Sequence, residues 1–203
     1  FHADGSWHKT HDVEIAGYAA SDALRAQLLG EAADLAADDP QQAAALTDAA
    51  NIEGVLPGSA TETWSVGTGL AWFGSGGNLG VSAGYYDSTY GVPTRPGGGE
   101  DSVSIGLKQY RADLRGSLNL GGFFQEARTR IGYSDYKHVE YEGAAVGTTF
   151  LVQGVEGRVE LIQRERGGWR GSVGAQYMFR DFQAIGDEAF VAPNTTQQIS
   201  AFT

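Results

Sequence analysis

The chain has 203 residues, enough for one all-β domain of ordinary size, and its formal net charge of −11 would repel a nucleic-acid backbone. We therefore expect no nucleic-acid partner. The absence of cysteine excludes disulfides and cysteine-ligated metal sites, and no stretch approaches the roughly 18 apolar residues of a membrane-spanning helix.

Eight segments alternate apolar with small or polar side chains, the period-2 pattern of a β-strand. In the second of them, Trp64, Val66 and Leu70 occupy one face, while Thr63 and Ser65 occupy the other. The predicted strands are residues 1–11, 61–74, 78–91, 104–120, 123–138, 150–165, 169–184 and 196–203.

Both ends of the chain fall within a predicted strand. Phe1 is not an initiating methionine, no signal segment precedes it, and residues 197–203 stop in the middle of a strand pattern. We therefore expect the chain to be an internal part of a longer polypeptide.

Residues 12–60 have a helical pattern instead. Ser21 is a suitable N-cap for a helix that contains Leu24 and Leu28, and Asp39 and Pro40 can begin a second, alanine-rich helix. A helical pair within a long loop is often functional, although an alanine-rich spacer without a partner would have the same composition.

The connections alternate in length. The short ones carry glycines that suit tight hairpins and lie at 75–77, 121–122 and 166–168. The long ones are 12–60, 92–103, 139–149 and 185–195. Outer-membrane barrels have short periplasmic turns and long extracellular loops, so this alternation predicts that strands ending at glycine turns run towards the periplasm.

One face of the predicted strands is strongly charged. In residues 105–120, Gln109, Arg111, Asp113 and Arg115 alternate with aliphatic and aromatic residues. Such a face cannot form the core of a soluble sandwich, but it suits the water-filled interior of a membrane barrel whose other face contacts lipid. The residues predicted to face the lumen are Arg111, Asp113, Arg115, Arg128, Arg130, Glu156, Arg158 and Glu160. We expect opposite charges on neighbouring strands to support one another.

Several runs in this order resemble the barrel of TonB-dependent outer-membrane receptors. They are Tyr90-Gly-Val-Pro93, Tyr110-Arg-Ala-Asp-Leu-Arg-Gly116, Gly132-Tyr-Ser-Asp-Tyr-Lys-His-Val-Glu-Tyr-Glu-Gly143, Val146-Gly-Thr-Thr-Phe150, Gly157-Arg-Val-Glu-Leu161, Gly167-Gly-Trp-Arg-Gly171 and Gly186-Asp-Glu-Ala-Phe190. Leu56-Pro-Gly-Ser-Ala-Thr-Glu-Thr63 resembles the family's return from a long loop into a strand. The resemblance extends over nearly the whole chain and is closest to the branch associated with zinc or haem uptake.

The resemblance implies a fold, a location and a partner. The fold is all-β: an antiparallel up-and-down meander of about eight long strands, a fragment of a 22-stranded transmembrane β-barrel. Residues 1–203 would form part of that barrel, and residues 12–60 would form a long extracellular loop with a helical insertion. The family imports scarce nutrients, such as metal ions or siderophores, across the outer membrane of Gram-negative bacteria. Its energy comes through the TonB complex, which contacts a plug absent from these residues.

Two groups of residues are candidates for substrate binding. His11, Asp12 and Glu14 follow the first strand, and His138, Glu140 and Glu142 share one face if their strand continues that far. Imidazole with carboxylates suits zinc or a similar divalent ion, so His11 and His138 are candidate metal ligands. A solvated strand end would have the same composition. The loop at 12–60 contains no histidine, which argues against zinc.

Nine aromatic residues fit the girdles that mark the edges of a membrane barrel. They are Trp64, Trp72, Phe73, Tyr85, Tyr86, Phe123, Phe124, Trp169 and Tyr177. The sequence has no nucleophile elbow, phosphate-binding loop or H-E-x-x-H motif, so we expect neither an enzyme nor a cofactor; a metal would be the transported substrate. The alternatives are a passive porin-like or adhesin-like barrel and a soluble carbohydrate-binding β-sandwich.

Overall fold

The computed structural model describes residues 1–98, 102–186 and 189–203. Its elements are β1 His2–Thr10, β2 Val13–Tyr18, α1 Asp22–Leu35, α2 Pro40–Ala50, β3 Glu53–Leu56, β4 Thr61–Gly74, β5 Gly77–Val92, β6 Val103–Asn119, β7 Phe124–Glu142, β8 Ala145–Gln163, β9 Ser172–Ile185 and β10 Asn194–Phe202. The long connections predicted at 92–103 and 185–195, and the run 186–190, extend partly outside the described residues.

Eight strands form one antiparallel sheet in the order β1-β4-β5-β6-β7-β8-β9-β10. Apart from the excursion at β2 and β3, each strand pairs with the next one along the chain, which confirms the predicted up-and-down meander. The register keeps the two faces in phase. Val81 pairs with Leu70 on one side and with Leu114 on the other, and Leu114 pairs with Ile131.

The segment 139–149 was predicted to be a long loop, and this is wrong. β7 continues to Glu142 and β8 begins at Ala145, so Gly143 and Ala144 alone connect them. Gly143 has a positive φ of 58°, which suits a tight turn, and its N–H donates to the carbonyl oxygen of Ser102 at 2.8 Å. The β-branched and aromatic residues of 139–149 therefore extend the sheet, and connection lengths do not alternate strictly.

The helical insertion contains the two predicted helices and a small sheet that was not predicted. The Ser21 hydroxyl accepts from the N–H of Leu24 at 3.3 Å, and the Asp39 carboxylate accepts from Gln42 at 3.0 Å, which confirms both N-caps. Below the helices, β2 and β3 form a separate two-stranded sheet. The helices pack on each other through a small apolar core of Leu28, Ala32, Ala43, Leu46 and Ala50.

The large sheet has no such core. In the described part of the chain, no large side chain is fully buried and neither helix packs extensively on the eight-stranded sheet. On β4, Val66, Leu70 and Trp72 are 50%, 63% and 63% exposed, while Thr63 and Ser65 on the opposite face are half-buried. The apolar face of β4 is therefore uncovered in the described part of the chain.

Within the described residues, neither helix has the length and apolar composition that would let it cross a membrane.

Candidate functional site

The eight charged residues predicted to face a lumen all lie on one face of the sheet, which we call the polar face. Asp113 and Glu156 both pair with Gly132, and Arg115 and Arg158 both pair with Arg130. The remaining members, Arg111, Arg128 and Glu160, have the same parity on β6, β7 and β8. The opposite side, which carries Leu70, Val81, Leu114, Ile131, Val159 and Val173, is called the apolar face.

Ion pairs on the polar face run along strands rather than across them. Arg128 makes two hydrogen bonds to Glu126, at 2.9 and 2.8 Å, and Arg158 lies 3.8 Å from Glu160. The predicted support between opposite charges on neighbouring strands therefore does not take the form of a direct ion pair for these residues. A side chain two positions along the same strand shares the face and is close enough to bond, so Arg128 bonds to Glu126 although Glu160 lies opposite it.

The apolar face ends at a sharp boundary on the side of the helical insertion. In every strand of the large sheet, an apolar or aromatic residue of this face is followed, two positions towards that side, by a polar residue. These boundary pairs are Trp7 and Lys9, Trp64 and Glu62, Tyr85 and Asp87, Tyr110 and Lys108, Tyr133 and Asp135, Val155 and Gln153, Phe179 and Asp181, and Ile199 and Gln197. Beyond the boundary the face is mixed.

Hydrogen bonds join the two sides of this boundary. Trp7 Nε1 donates to Glu62 at 3.2 Å, and the Lys9 ammonium donates to the same carboxylate at 2.8 Å. The Tyr85 hydroxyl donates to Asp87 at 2.8 Å. Each ring thus lies among apolar neighbours while its polar atom reaches the polar row, an arrangement suited to a place where hydrocarbon meets water.

The boundary crosses the strands obliquely. The row of Cα partners that starts at Trp7 reaches Lys137 on β7 after four strand-to-strand steps and Gln183 on β9 after six. On both strands this row lies four positions closer to the helical insertion than the apolar member of the boundary pair, which is Tyr133 on β7 and Phe179 on β9. On β10, the apolar member Ile199 pairs with Tyr177, which lies six positions from Gln183 on β9. The offset is therefore six positions after seven steps. The boundary therefore shifts by about one residue per strand.

The candidate site at His11 is held by Asp12. Asp12 Oδ1 accepts from the backbone N–H groups of Ser59 at 2.9 Å and Ala60 at 2.8 Å, which ties the start of the insertion to its end. This gives Asp12 a structural role. His11 and Glu14 are exposed, and Glu14 belongs to β2.

The candidate site at His138 lies on β7. This strand continues to Glu142, so His138, Glu140 and Glu142 share one face of the β6–β7 pair, as expected. His138 Nδ1 is 3.1 Å from the Tyr136 hydroxyl, and its ring meets Phe150 edge to face at 5.4 Å between centroids. His138 Nε2 is buried without a hydrogen-bond partner in the described residues and is 3.7 Å from Glu140 Oε1. Glu142 is exposed.

The structure does not bring the two histidines together. Three strands separate β1, which ends beside His11, from β7, which carries His138, a distance of about 19 Å at the usual strand spacing. Among the described residues, no group of three or more histidine, cysteine, aspartate or glutamate side chains could hold a metal ion. Metal binding at His11 or His138 stays a prediction that needs further ligands.

The predicted girdle residues divide between the two faces. Trp64, Trp72 and Tyr85 lie on the apolar face, but Phe73 and Tyr86 lie on the polar face, since Phe73 pairs with Asn78 and Tyr86 with Gln109. The girdle residues were predicted from their position near strand ends, which does not show which face a side chain occupies. Odd or even position along each strand would have separated the two faces. The sequence prediction also missed the polar row of the boundary, which a search for aromatic and polar residues two positions apart could have found.

No family model and no curated protein matches this chain.

Proposed function

We propose that the eight-stranded sheet is part of the wall of an outer-membrane β-barrel that imports a scarce nutrient. The apolar face contacts lipid, and the polar face borders a water-filled interior. In the described residues, the outer edges of β1 and β10 have no strand partner, so further strands complete the wall there. The polar face contains the substrate path, and the loop side of the sheet, with His138 and Glu140, faces the medium.

The oblique boundary carries this proposal. A shift of one residue, about 3.3 Å, for each strand spacing of about 4.8 Å corresponds to a line inclined at roughly 35°. The strands of membrane barrels tilt by about 35–45° from the membrane normal, so a flat membrane surface drawn across such a sheet crosses the strands at this slant. A soluble sandwich gives no reason for a slanted aromatic and polar line on an uncovered face.

The height of the apolar face agrees with a bilayer. On β4 it extends from Trp64 to Trp72 and on β6 from Tyr110 to Leu118, nine residues in each case. Nine residues span about 27 Å along the strand and roughly 22 Å along the membrane normal after tilting, close to the apolar band of about 25 Å in such barrels.

The import function rests on the resemblance of the residue runs to TonB-dependent receptors. In that family a metal ion, a siderophore or another metal complex binds from the outside, and the TonB complex supplies the energy through the plug. The alternative is a passive porin-like or adhesin-like barrel, which would have the same two-faced wall.

Neighbouring cysteines on β5 test the wall. These 203 residues contain no cysteine, so Val81→Cys on the apolar face and Ser82→Cys on the polar face each add one thiol to them. In the complete protein, reconstituted in vesicles and labelled with a fluorophore, a nitroxide lipid should quench the label at 81 and aqueous iodide the label at 82. Equal iodide quenching at both positions would rule out the wall.

An uptake assay tests the import. Cells that express the complete protein should accumulate a labelled metal chelate only when the TonB complex is active. Accumulation that persists after the TonB complex is deleted would instead support the passive barrel.

A further inference from the structure

Three arginines of the polar face lie directly opposite one another on adjacent strands. Arg115 on β6 pairs with Arg130 on β7, and Arg130 pairs with Arg158 on β8. We call these residues the arginine row. Strands lie about 4.8 Å apart, so like charges placed opposite each other destabilise the pairing unless another group neutralises them.

The carboxylates nearest this row do not form salt bridges with Arg115 or Arg130. Asp113 directs Oδ1 over Gly132, where it lies 3.6 Å from the place that a Cβ atom would take. Glu156 Oε1 accepts from Gln176 Nε2 at 3.5 Å. In the described part of the chain, no carboxylate comes within 4.0 Å of a guanidinium nitrogen of Arg115 or Arg130.

Arg158 differs from the other two members of the row. Its guanidinium lies 3.8 Å from Glu160 and 3.9 Å from the centre of the Phe202 ring. A carboxylate and an aromatic face both stabilise a cation, so Arg158 is partly compensated. Arg115 and Arg130 are therefore the two members of the row that form no salt bridge in the described part of the chain.

Two adjacent depressions give access to these charges. One, of about 210 Å³, is lined by all three arginines of the row together with Gln176 and the carboxylates of Asp113 and Glu156. The other, of about 230 Å³, is lined by Arg128, Arg130, Arg158 and Glu160. Arginines outnumber carboxylates in both linings, so each depression keeps a net positive charge. Arg130 borders both depressions, so a small anion in either one reaches its guanidinium.

We propose that the arginine row binds a dissolved oxyanion, a carboxylate or phosphate group carried by a small solute. The planar guanidinium donates two parallel hydrogen bonds to such a group, and the two guanidinium groups that form no salt bridge supply donors for one phosphate or dicarboxylate. Rings of arginine or lysine are also the device by which pores select anions. This proposal adds a ligand to the polar face of the proposed barrel wall. It depends on the proposed function in one respect only, namely that water reaches the polar face.

Titration calorimetry of the complete protein in a neutral detergent tests this site, because that medium contains no lipid phosphate. Inorganic phosphate and citrate are the probes. Arg130→Gln and Arg115→Gln should each weaken binding about tenfold or more, since each removes hydrogen bonds to a charged group. Arg130→Lys keeps the charge but loses the paired hydrogen bonds. Its affinity for phosphate should therefore lie between that of the unmodified protein and that of Arg130→Gln.

Arg111→Gln is the matched control. It removes the same charge from the same face of β6, but Arg111 lines neither depression, so binding should change less than about twofold. Absence of binding to the unmodified protein, or equal weakening by Arg111→Gln and Arg130→Gln, would overturn the proposal. If the labels at 81 and 82 are quenched as expected while phosphate does not bind, the anion site fails and the barrel wall stands.

Discussion

The eight-stranded sheet and the helical insertion expose opposite kinds of side chain. In the insertion, Leu28 is 3% exposed and Ala50 is fully buried, and the carboxylates of α1 and α2 point outwards. In the sheet, Leu70 and Trp72 are each 63% exposed, while polar side chains on the other face of β4 are half-buried. One chain therefore follows two opposite rules of burial.

The difference indicates two solvents. Burying apolar side chains is favourable only where the alternative is water, so the insertion has the organisation of a segment surrounded by water. A sheet that leaves its aliphatic and aromatic face uncovered would aggregate in water but is stable against hydrocarbon. Substitutions chosen on each region test whether the two rules apply where the structure places them.

The largest effect is expected from a charge on the apolar face. Leu114 lies between Val81 and Ile131 near the middle of that face. If the apolar face contacts lipid as proposed, Leu114→Arg should destabilise the refolded complete protein by about 2–4 kcal/mol because the charge enters hydrocarbon. Ser82→Arg places the same charge on the polar face, opposite Asp113, and should cost under about 0.5 kcal/mol. Urea unfolding in detergent or lipid measures both, and equal costs would contradict the assignment of the faces.

A smaller effect, confined to the insertion, is expected from Leu28→Ala. This change removes a side chain from the small helical core and should cost about 2 kcal/mol locally. Amide exchange should accelerate in α1 and α2, whereas the unfolding of the sheet should not change, since the helices do not pack extensively on it. Leu29→Ala is the matched control, because Leu29 is 40% exposed. Slower refolding of the sheet in Leu28→Ala would show that the two regions are not independent.

The smallest effect concerns the start of α1. Ser21→Ala removes the hydroxyl that accepts from Leu24 and should cost about 1 kcal/mol of helix stability. Ser21→Asp keeps an acceptor at the cap and should restore most of that loss. Amide exchange of the first turn of α1 is the measurement, and identical protection in both variants would show that the cap does not stabilise the helix.

Much of the fold could be predicted from the sequence because its signals are local. The alternation from Thr63 to Leu70 defines β4, and Ser21 and Asp39 define where the helices begin. The segment 139–149 could not be assigned in this way. Gly143 and Gly147 resemble loop residues, and the irregular register between Val139 and Tyr141, where β7 pairs with β8, leaves no mark in the sequence.

The candidate sites were harder to predict because they depend on how separate strands are aligned. The sequence places Arg115, Arg130 and Arg158 on one face, but only the register shows that they lie opposite one another. Likewise, the bond between Asp12 and the Ser59 amide joins residues at the two ends of the insertion. Pairings of this kind follow from turn lengths and bulges that a single strand does not reveal.

If the sheet is the barrel wall proposed above, the two-residue turn at Gly143 and Ala144 determines what this part of the wall presents outside the membrane. β7 continues for seven residues beyond Asp135, the polar member of its boundary pair, and β8 descends beside it. At about 3.3 Å per residue, this paired ribbon extends roughly 23 Å along the strands beyond the polar row, with only a two-residue turn at its tip. In the proposed wall, such a rigid projection would be a surface that an antibody or a bacteriophage could contact.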